Sequence, residues 1–262
     1  MIHSTAIIHA KASIGKNVKI GPYCIVGANV FIDEGTELTS HVVIEGPTRI
    51  GKNNKIFSFA CLGQEPQDLK YQGEKSELII GDGNTIREST NIHRGTRGGG
   101  NKTVLGNGNL IMSLVHIGHD SIIGSNVIIA SFSGIAGHVV IEDKAFVGGK
   151  VGVGQFVRIG GSCYIGGFSR IDKDVPPFSF CCGTDKVLVR GVNIVGLKRQ
   201  GYSTENINLL RKVFHDLFDV KTPLQENIKK LPPEYKNDTA VSYLMDFIQS
   251  SDKGVITNIS DA

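Results

Sequence analysis

Between Ile111 and Val140 the chain gathers groups that can move protons: His116, His119, Asp120 and His138. A neutral imidazole titrates near pH 6.5 and is well matched to taking a proton from an alcohol at neutral pH. A carboxylate beside it fixes the tautomer and stabilises the imidazolium that forms. A glycine leaves its backbone N–H unshielded, so Gly137 could donate to a developing oxyanion. Together these are the parts of a direct acyl transfer to a hydroxyl. One geometric condition applies: Asp120 directly follows His119, and neighbours in a strand point to opposite faces, so the pairing requires a corner in the chain at this place.

What must position these groups is a six-residue repeat. Hexads open with Ile, Leu or Val from Ile8 to Ile56, again at Ile80, Ile86 and Ile92, and without a slip from Leu105 to Ile171, which makes 24 in all. A period of six fits neither an amphipathic helix at 3.6 nor a long strand at 2. Short strands joined by tight corners fit it, each placing one aliphatic side chain inward, with Gly and Asn at the corners. Three strands close a triangular coil of about 18 residues, and stacked coils pair as parallel sheets about 4.8 Å apart, giving a prism roughly 40 Å tall.

In such a coil a residue stacks on the one 18 positions later. His119 then stacks on Gly137 and Gln155, and Asp120 on His138. A second column, Ser131, Gly149 and Gly167, has almost no side chain and reads as a shallow groove for a long thin apolar ligand. The register breaks at 64–79, a polar insertion whose candidate contacts are Asp68 and Lys70, and again at 98–104, a flexible insertion with Arg94, Arg97 and Lys102 around it as exposed cations. Long loops on a compact scaffold commonly carry function. His3, His9, His41 and His215 have no stacked partner and read as solvated or structural.

The repeat should end at Asp172–Pro177, since paired prolines cannot continue a hydrogen-bonded ladder, and residues 178–201 should be irregular. Beyond them the period becomes helical. Ser203 is a candidate cap for a helix with the stripe Ile207, Leu210, Val213, Phe214, Leu217 and Phe218; further helices are expected at 224–231 and 239–249, with a loose tail after Ser250. The chain of 262 residues has 40% hydrophobic and 20% charged residues, an ordinary soluble composition. Its net charge of +3 is too mild to argue for nucleic acid. The absence of a signal peptide or a membrane-spanning run and the odd set of cysteines (Cys24, Cys61, Cys163, Cys181, Cys182) suit a reducing cytoplasm and neither a disulfide nor a zinc framework.

The repeat resembles the hexapeptide-repeat, left-handed parallel β-helix proteins. The order IHRGT, HIGHD, AGH, GQF and GVNIVGLKR, together with the QDLKY loop, resembles over nearly the whole chain the bacterial UDP-N-acetylglucosamine O-acyltransferases that begin lipid A synthesis. The resemblance implies a mainly β chain: a left-handed parallel β-helix at 1–190, interrupted at 64–79 and 98–104, then a small α-helical C-terminal domain at 191–262. It implies a cytoplasmic homotrimer with active sites between subunits, no metal and no cofactor, the acyl carrier protein thioester being the donor of a (R)-3-hydroxyacyl chain to the sugar 3-hydroxyl. Carried onto matching positions, His119 is general base, Asp120 supports it and Gly137 donates to the oxyanion. Asp68, His116 and His138 hold the sugar; Lys70 and Gln155 contact sugar, phosphate or the carrier arm; Asn193 and Arg199 face the uridine; Gly167 sits where acyl length is limited. Gly154, Val195 and Gln200 depart from the family pattern, and bear on nucleotide contacts more than on reaction type. Two alternatives stay open: the same transfer to a 3-amino sugar nucleotide, and a zinc site of His116, His119 and His138 in a carbonic anhydrase-like enzyme on the same fold.

Overall fold

The computed structural model describes residues 1–184, 186–219 and 222–257. Most strands are two residues long, such as His116–Ile117 and Ile128–Ile129, because each hexad needs only one inward aliphatic and its outward neighbour before the next corner. They assemble into three sheets of nine, eight and ten strands that form the sides of the prism, a left-handed parallel β-helix. Regular coils pair at the expected offset, His116 against Gly134 and Ile117 against Ile135. From Ile20 onward the hexad openers, among them Ile117, Ile135 and Ile159, are buried and stack along the axis as one core, with Ile8 and Ile14 partly exposed at its N-terminal end.

The first insertion lengthens one coil so that Leu78 pairs with Thr48; the second makes Asn91 pair with His116. Gln64 still belongs to the strand Cys61–Gln64 and Glu77 already to Glu77–Ile80, while Lys102–Leu105 pairs with Glu77–Ile80. Only 65–76 and 94–101 therefore leave the ladder. Leu62 is a further buried hexad opener, paired with Ile44 and Ile92.

At most corners the third residue after the opener adopts a left-handed conformation, φ near +60°. Only Gly and, more weakly, Asn adopt it readily, and the edge after the eight-stranded sheet follows that preference with Asn17, Gly35, Asn53, Gly83, Gly108 and Asn126, before Lys144 and Ser162 break it. The other two edges do not. The edge after the ten-stranded sheet carries Tyr23, His41, Phe59, Leu114, Phe132 and Phe168 in this conformation, and the edge after the nine-stranded sheet carries Asp120, His138 and Phe156.

The ladder outlasts the prolines. Val175 bridges to Ile159, Pro176 and Pro177 fall at a corner where no strand donor is needed, and Ser179–Cys182 then pairs with Tyr164–Ile165. The strand Leu188–Val192 folds back antiparallel on it, so the stretch read as irregular is a hairpin followed by a short helix, α1 (Ile194–Arg199). Next come α2 (Thr204–Leu217), α3 (Leu224–Lys230) and α4 (Thr239–Gln249). Ser203 caps α2 by accepting from the Asn206 N–H, and the expected stripe is buried. The tail is anchored as far as Ile256, whose amide donates to the Asp174 carbonyl; 258–262 lie outside the described residues. Among the described residues no helix is long and apolar enough to cross a membrane.

Candidate active site

Asp120 occupies the corner that its pairing with His119 demanded, at φ +60°. The turn swings its carboxylate back beside the imidazole, and His119 Nδ1 lies 2.8 Å from Asp120 Oδ2. A carboxylate can only accept, so Nδ1 carries the proton and the lone pair of the neutral ring is on Nε2. Asp120 is itself held rigidly: Thr96 N donates to Oδ1 at 2.7 Å, Thr96 Oγ1 donates to Oδ2 at 2.6 Å, and the Asp120 amide donates to Thr103 Oγ1 at 2.8 Å. The side chain is completely buried, and an ionised carboxylate tolerates this only with such partners.

Gly137 stacks one coil along, as the arithmetic required, and a Cβ there would come within 2.7 Å of His119 Cε1 and Nε2. The glycine is thus what lets the imidazole lie flat across the next coil. Among the described residues no group accepts from the Gly137 amide. His138, at φ +61°, sits over Asp120 with Nε2 3.8 Å from Oδ2, its ring edge-on to His119 at 5.1 Å and stacked on Phe156 at 4.5 Å. Asp68, Lys70 and His138 line one cavity of about 430 Å³ with Thr96, Arg97 and Phe156. Gln155 is exposed on the same edge.

His116 faces His93, ring to ring at 5.2 Å. Burial first, and then the neighbouring imidazoles, push the His116 pKa down; burial chiefly lowers that of His93. His93 donates from Nδ1 to the Glu65 carbonyl at 2.5 Å. Sequence reasoning left His93 undecided between a structural and a functional role and took Arg94 for an exposed cation; both are buried. Counting the second insertion as a longer coil, which puts Asn91 on His116, would have brought His93 to the cluster.

The remaining candidates lie elsewhere. Gly149 and Gly167 are corners of the ten-stranded sheet, on another edge of the prism from His119. Asn193 and Arg199 line a separate cavity of about 830 Å³ against Phe146, Tyr164 and Phe180 of that sheet. Asn193 caps α1, its Oδ1 accepting from Gly196 N at 3.1 Å and its Nδ2 donating to the Ser162 carbonyl at 3.0 Å. Gln200, one of the departures, accepts from Ser162 Oγ at 2.6 Å. Gly154 is not forced by space, since a Cβ there would meet nothing nearer than 3.4 Å. A metal could find donors at His119, Asp120 and His138, whose ligand atoms lie within 4.8 Å of one another; His116 is not in that trio, and Asp120 would have to give up contacts it already makes.

The family model described as UDP-N-acetylglucosamine O-acyltransferase, domain 2, matches residues 174–256, and the bacterial transferase hexapeptide model matches 1–34 and 102–137. An acyl-(acyl-carrier-protein)–UDP-N-acetylglucosamine O-acyltransferase of Thermodesulfovibrio yellowstonii is 49% identical over 254 residues, covering 97% of this chain and 98% of that one. This chain belongs to the UDP-N-acetylglucosamine O-acyltransferase family. The enzyme of that name from Rickettsia canadensis is 55% identical over 248 residues, covering 94% and 93%. Among solved structures, the Bacteroides fragilis UDP-N-acetylglucosamine acyltransferase superposes with a TM-score of 0.94 at 36% identity, covering 98% of this chain and 100% of that chain. The Francisella novicida enzyme gives 0.94 at 39%, covering 100% and 95%.

Proposed function

We propose that the chain moves a (R)-3-hydroxyacyl group from acyl carrier protein to the 3-hydroxyl of UDP-N-acetylglucosamine, the opening step of lipid A synthesis. The observation that carries the mechanism is the buried His119–Asp120 pair, with Nδ1 committed to the carboxylate at 2.8 Å and Nε2 left as the base. The sugar oxygen attacks the thioester carbonyl carbon while His119 Nε2 takes its proton. Asp120 stabilises the imidazolium, and the Gly137 amide donates to the oxyanion. Collapse breaks the C–S bond, and the imidazolium returns the proton to the carrier thiolate. No covalent acyl-enzyme is needed, because donor and acceptor meet directly.

Asp68 and His138, around their shared cavity, and His116 are assigned to the acceptor sugar, with Lys70 and Gln155 at its phosphates or the carrier arm. Gly167 belongs to the edge after the ten-stranded sheet, and Asn193 and Arg199 to the cavity against that sheet's face, beside Asn126 and Lys144. We assign the working form to a homotrimer in the cytoplasm, in which the His119 edge of one chain meets the ten-stranded-sheet edge of the next. What supports this is an edge that exposes Tyr23, Phe59, Leu114, Phe132 and Phe168, each in a conformation a bulky residue rarely adopts.

The test is to combine purified protein with UDP-N-acetylglucosamine and a panel of (R)-3-hydroxyacyl carrier proteins, following product by mass. Acylated sugar nucleotide is expected, with one chain length preferred. Product only with the 3-amino sugar nucleotide would overturn the assignment of the acceptor.

A further inference from the structure

We propose that Arg94 is a positioning residue for the acceptor sugar: its buried guanidinium fixes the loop 65–76 in the shape that presents Asp68 and Lys70 to the His138 cavity. The proposal rests on the reading that Asp68 and Lys70 serve the acceptor.

Arg94 is only 7% exposed. A guanidinium taken from water is costly unless its N–H groups are satisfied, and an apolar side chain of equal volume would serve a purely packing role better. The acceptors that satisfy it are specific. Nη1 donates to the Gly63 carbonyl at 2.9 Å, where the loop departs. Nη2 donates to Tyr71 Oη at 3.0 Å, in mid-loop, and to Glu65 Oε1 at 3.3 Å. One planar group thus ties the root of the loop to its middle, and Asp68 and Lys70 lie in the span between. Only a rigid fork of donors can do this; a lysine has one nitrogen on a flexible stem.

The adjoining contacts point the same way. His93, the preceding residue, donates to the Glu65 carbonyl while its ring meets His116, so the loop and the histidine cluster share an anchor. Glu74 accepts from the Arg97 amide at 3.0 Å and the Gln72 amide at 2.9 Å, joining the loop to the second insertion. Gly95 is required where the insertions cross, since a Cβ there would lie 2.2 Å from the Lys102 nitrogen. Within the loop, Asp68 Oδ1 accepts from the Lys70 amide at 2.9 Å, a local turn that orders the two residues relative to each other but not to the site. That second ordering falls to Arg94.

Amide hydrogen exchange and steady-state kinetics on Arg94→Gln and Tyr71→Phe test this in the full-length protein. For Arg94→Gln, the hydrogen-bonded loop amides of Lys70, Tyr71 and Gln72 should exchange about tenfold faster or more while the coil amides of Gly118 and Ala136 keep their protection. KM for UDP-N-acetylglucosamine should rise about tenfold, with kcat and the KM for acyl carrier protein within about twofold. Tyr71→Phe should move both readouts the same way by less, and the double variant should fall short of the product of the two effects. Unchanged loop exchange, an unchanged sugar-nucleotide KM, or acceleration spread equally through the coils would each overturn the proposal. If Arg94→Gln fails to fold, Tyr71→Phe decides alone. Wild-type protein that acylates no UDP-N-acetylglucosamine would overturn the proposed function instead, and the exchange data would still decide whether Arg94 orders the loop.

Discussion

His119 and Gly137 act as one unit, because the ring occupies the space a side chain on Gly137 would fill. Gly137→Ala places a methyl 2.7 Å from Nε2, closer than any real contact, so the ring must turn away from the acceptor oxygen. We expect kcat to fall about 10²-fold with the melting temperature changed little, as differential scanning fluorimetry would read. His119→Ala should fold and lose about 10³-fold or more in kcat; a variant keeping a tenth of the activity would remove His119 from the role of base. Gly154→His is the counter-case. With the nearest atom 3.4 Å from a Cβ, the larger side chain should be accepted with the melting temperature within about 2 °C, so the glycine does not answer a steric demand.

The strand His116–Ile117 and its neighbour Asn91–His93 bring two imidazoles together under partial burial, and both are held below the ordinary histidine pKa, chiefly by burial. In the unfolded chain they titrate near 6.5. As pH falls from about 6.5 towards the folded values, the unfolded chain takes up protons that the folded one refuses, so stability declines across that window and is fully present above it. Unfolding midpoints in urea should therefore drop between pH 7 and pH 5, and His93→Gln should flatten the dependence; an identical slope would exclude His93 as a contributor. At this scale the sequence was readable wherever a period repeats. The aliphatic openers gave the coil, the stacking of His119 on Gly137 and the corner at Asp120, because each depends only on spacing. It was unreadable where a segment leaves the period. Nothing in Arg94 itself signals that the loop will fold back over it. The helix α1 was hidden because Pro176 and Pro177 read as a stop, when they fall at a corner and cost the ladder no donor.

Across the whole molecule the candidate residues fall on two edges, His119 with Asp68, Lys70 and His138 on one, Gly167 beside the ten-stranded sheet on another. The 18-residue arithmetic placed each column correctly and, since Ser131 follows His119 by two hexads of a three-sided coil, already set the columns on different edges; it could not say whether one working site uses both. If one site draws on both edges, its halves come from two chains, and cyclic symmetry then makes a quantitative forecast. Gly167→Met narrows a channel in which even a Cβ would meet the Gly149 carbonyl at 3.0 Å, and should abolish transfer of the longest accepted chain. His119→Ala abolishes transfer of every chain. In a trimer containing both variants, one interface pairs an intact His119 edge with an intact Gly167 edge. Random assembly from equal amounts leaves three trimers in four mixed, each with one good site in three, so about a quarter of wild-type activity with the long chain should return on co-expression. Mixing the separately assembled variants without subunit exchange should return none. A co-expressed sample as inactive as its parents would place the acyl chain and the base on the same subunit, and with it would fall the division of the site between neighbours.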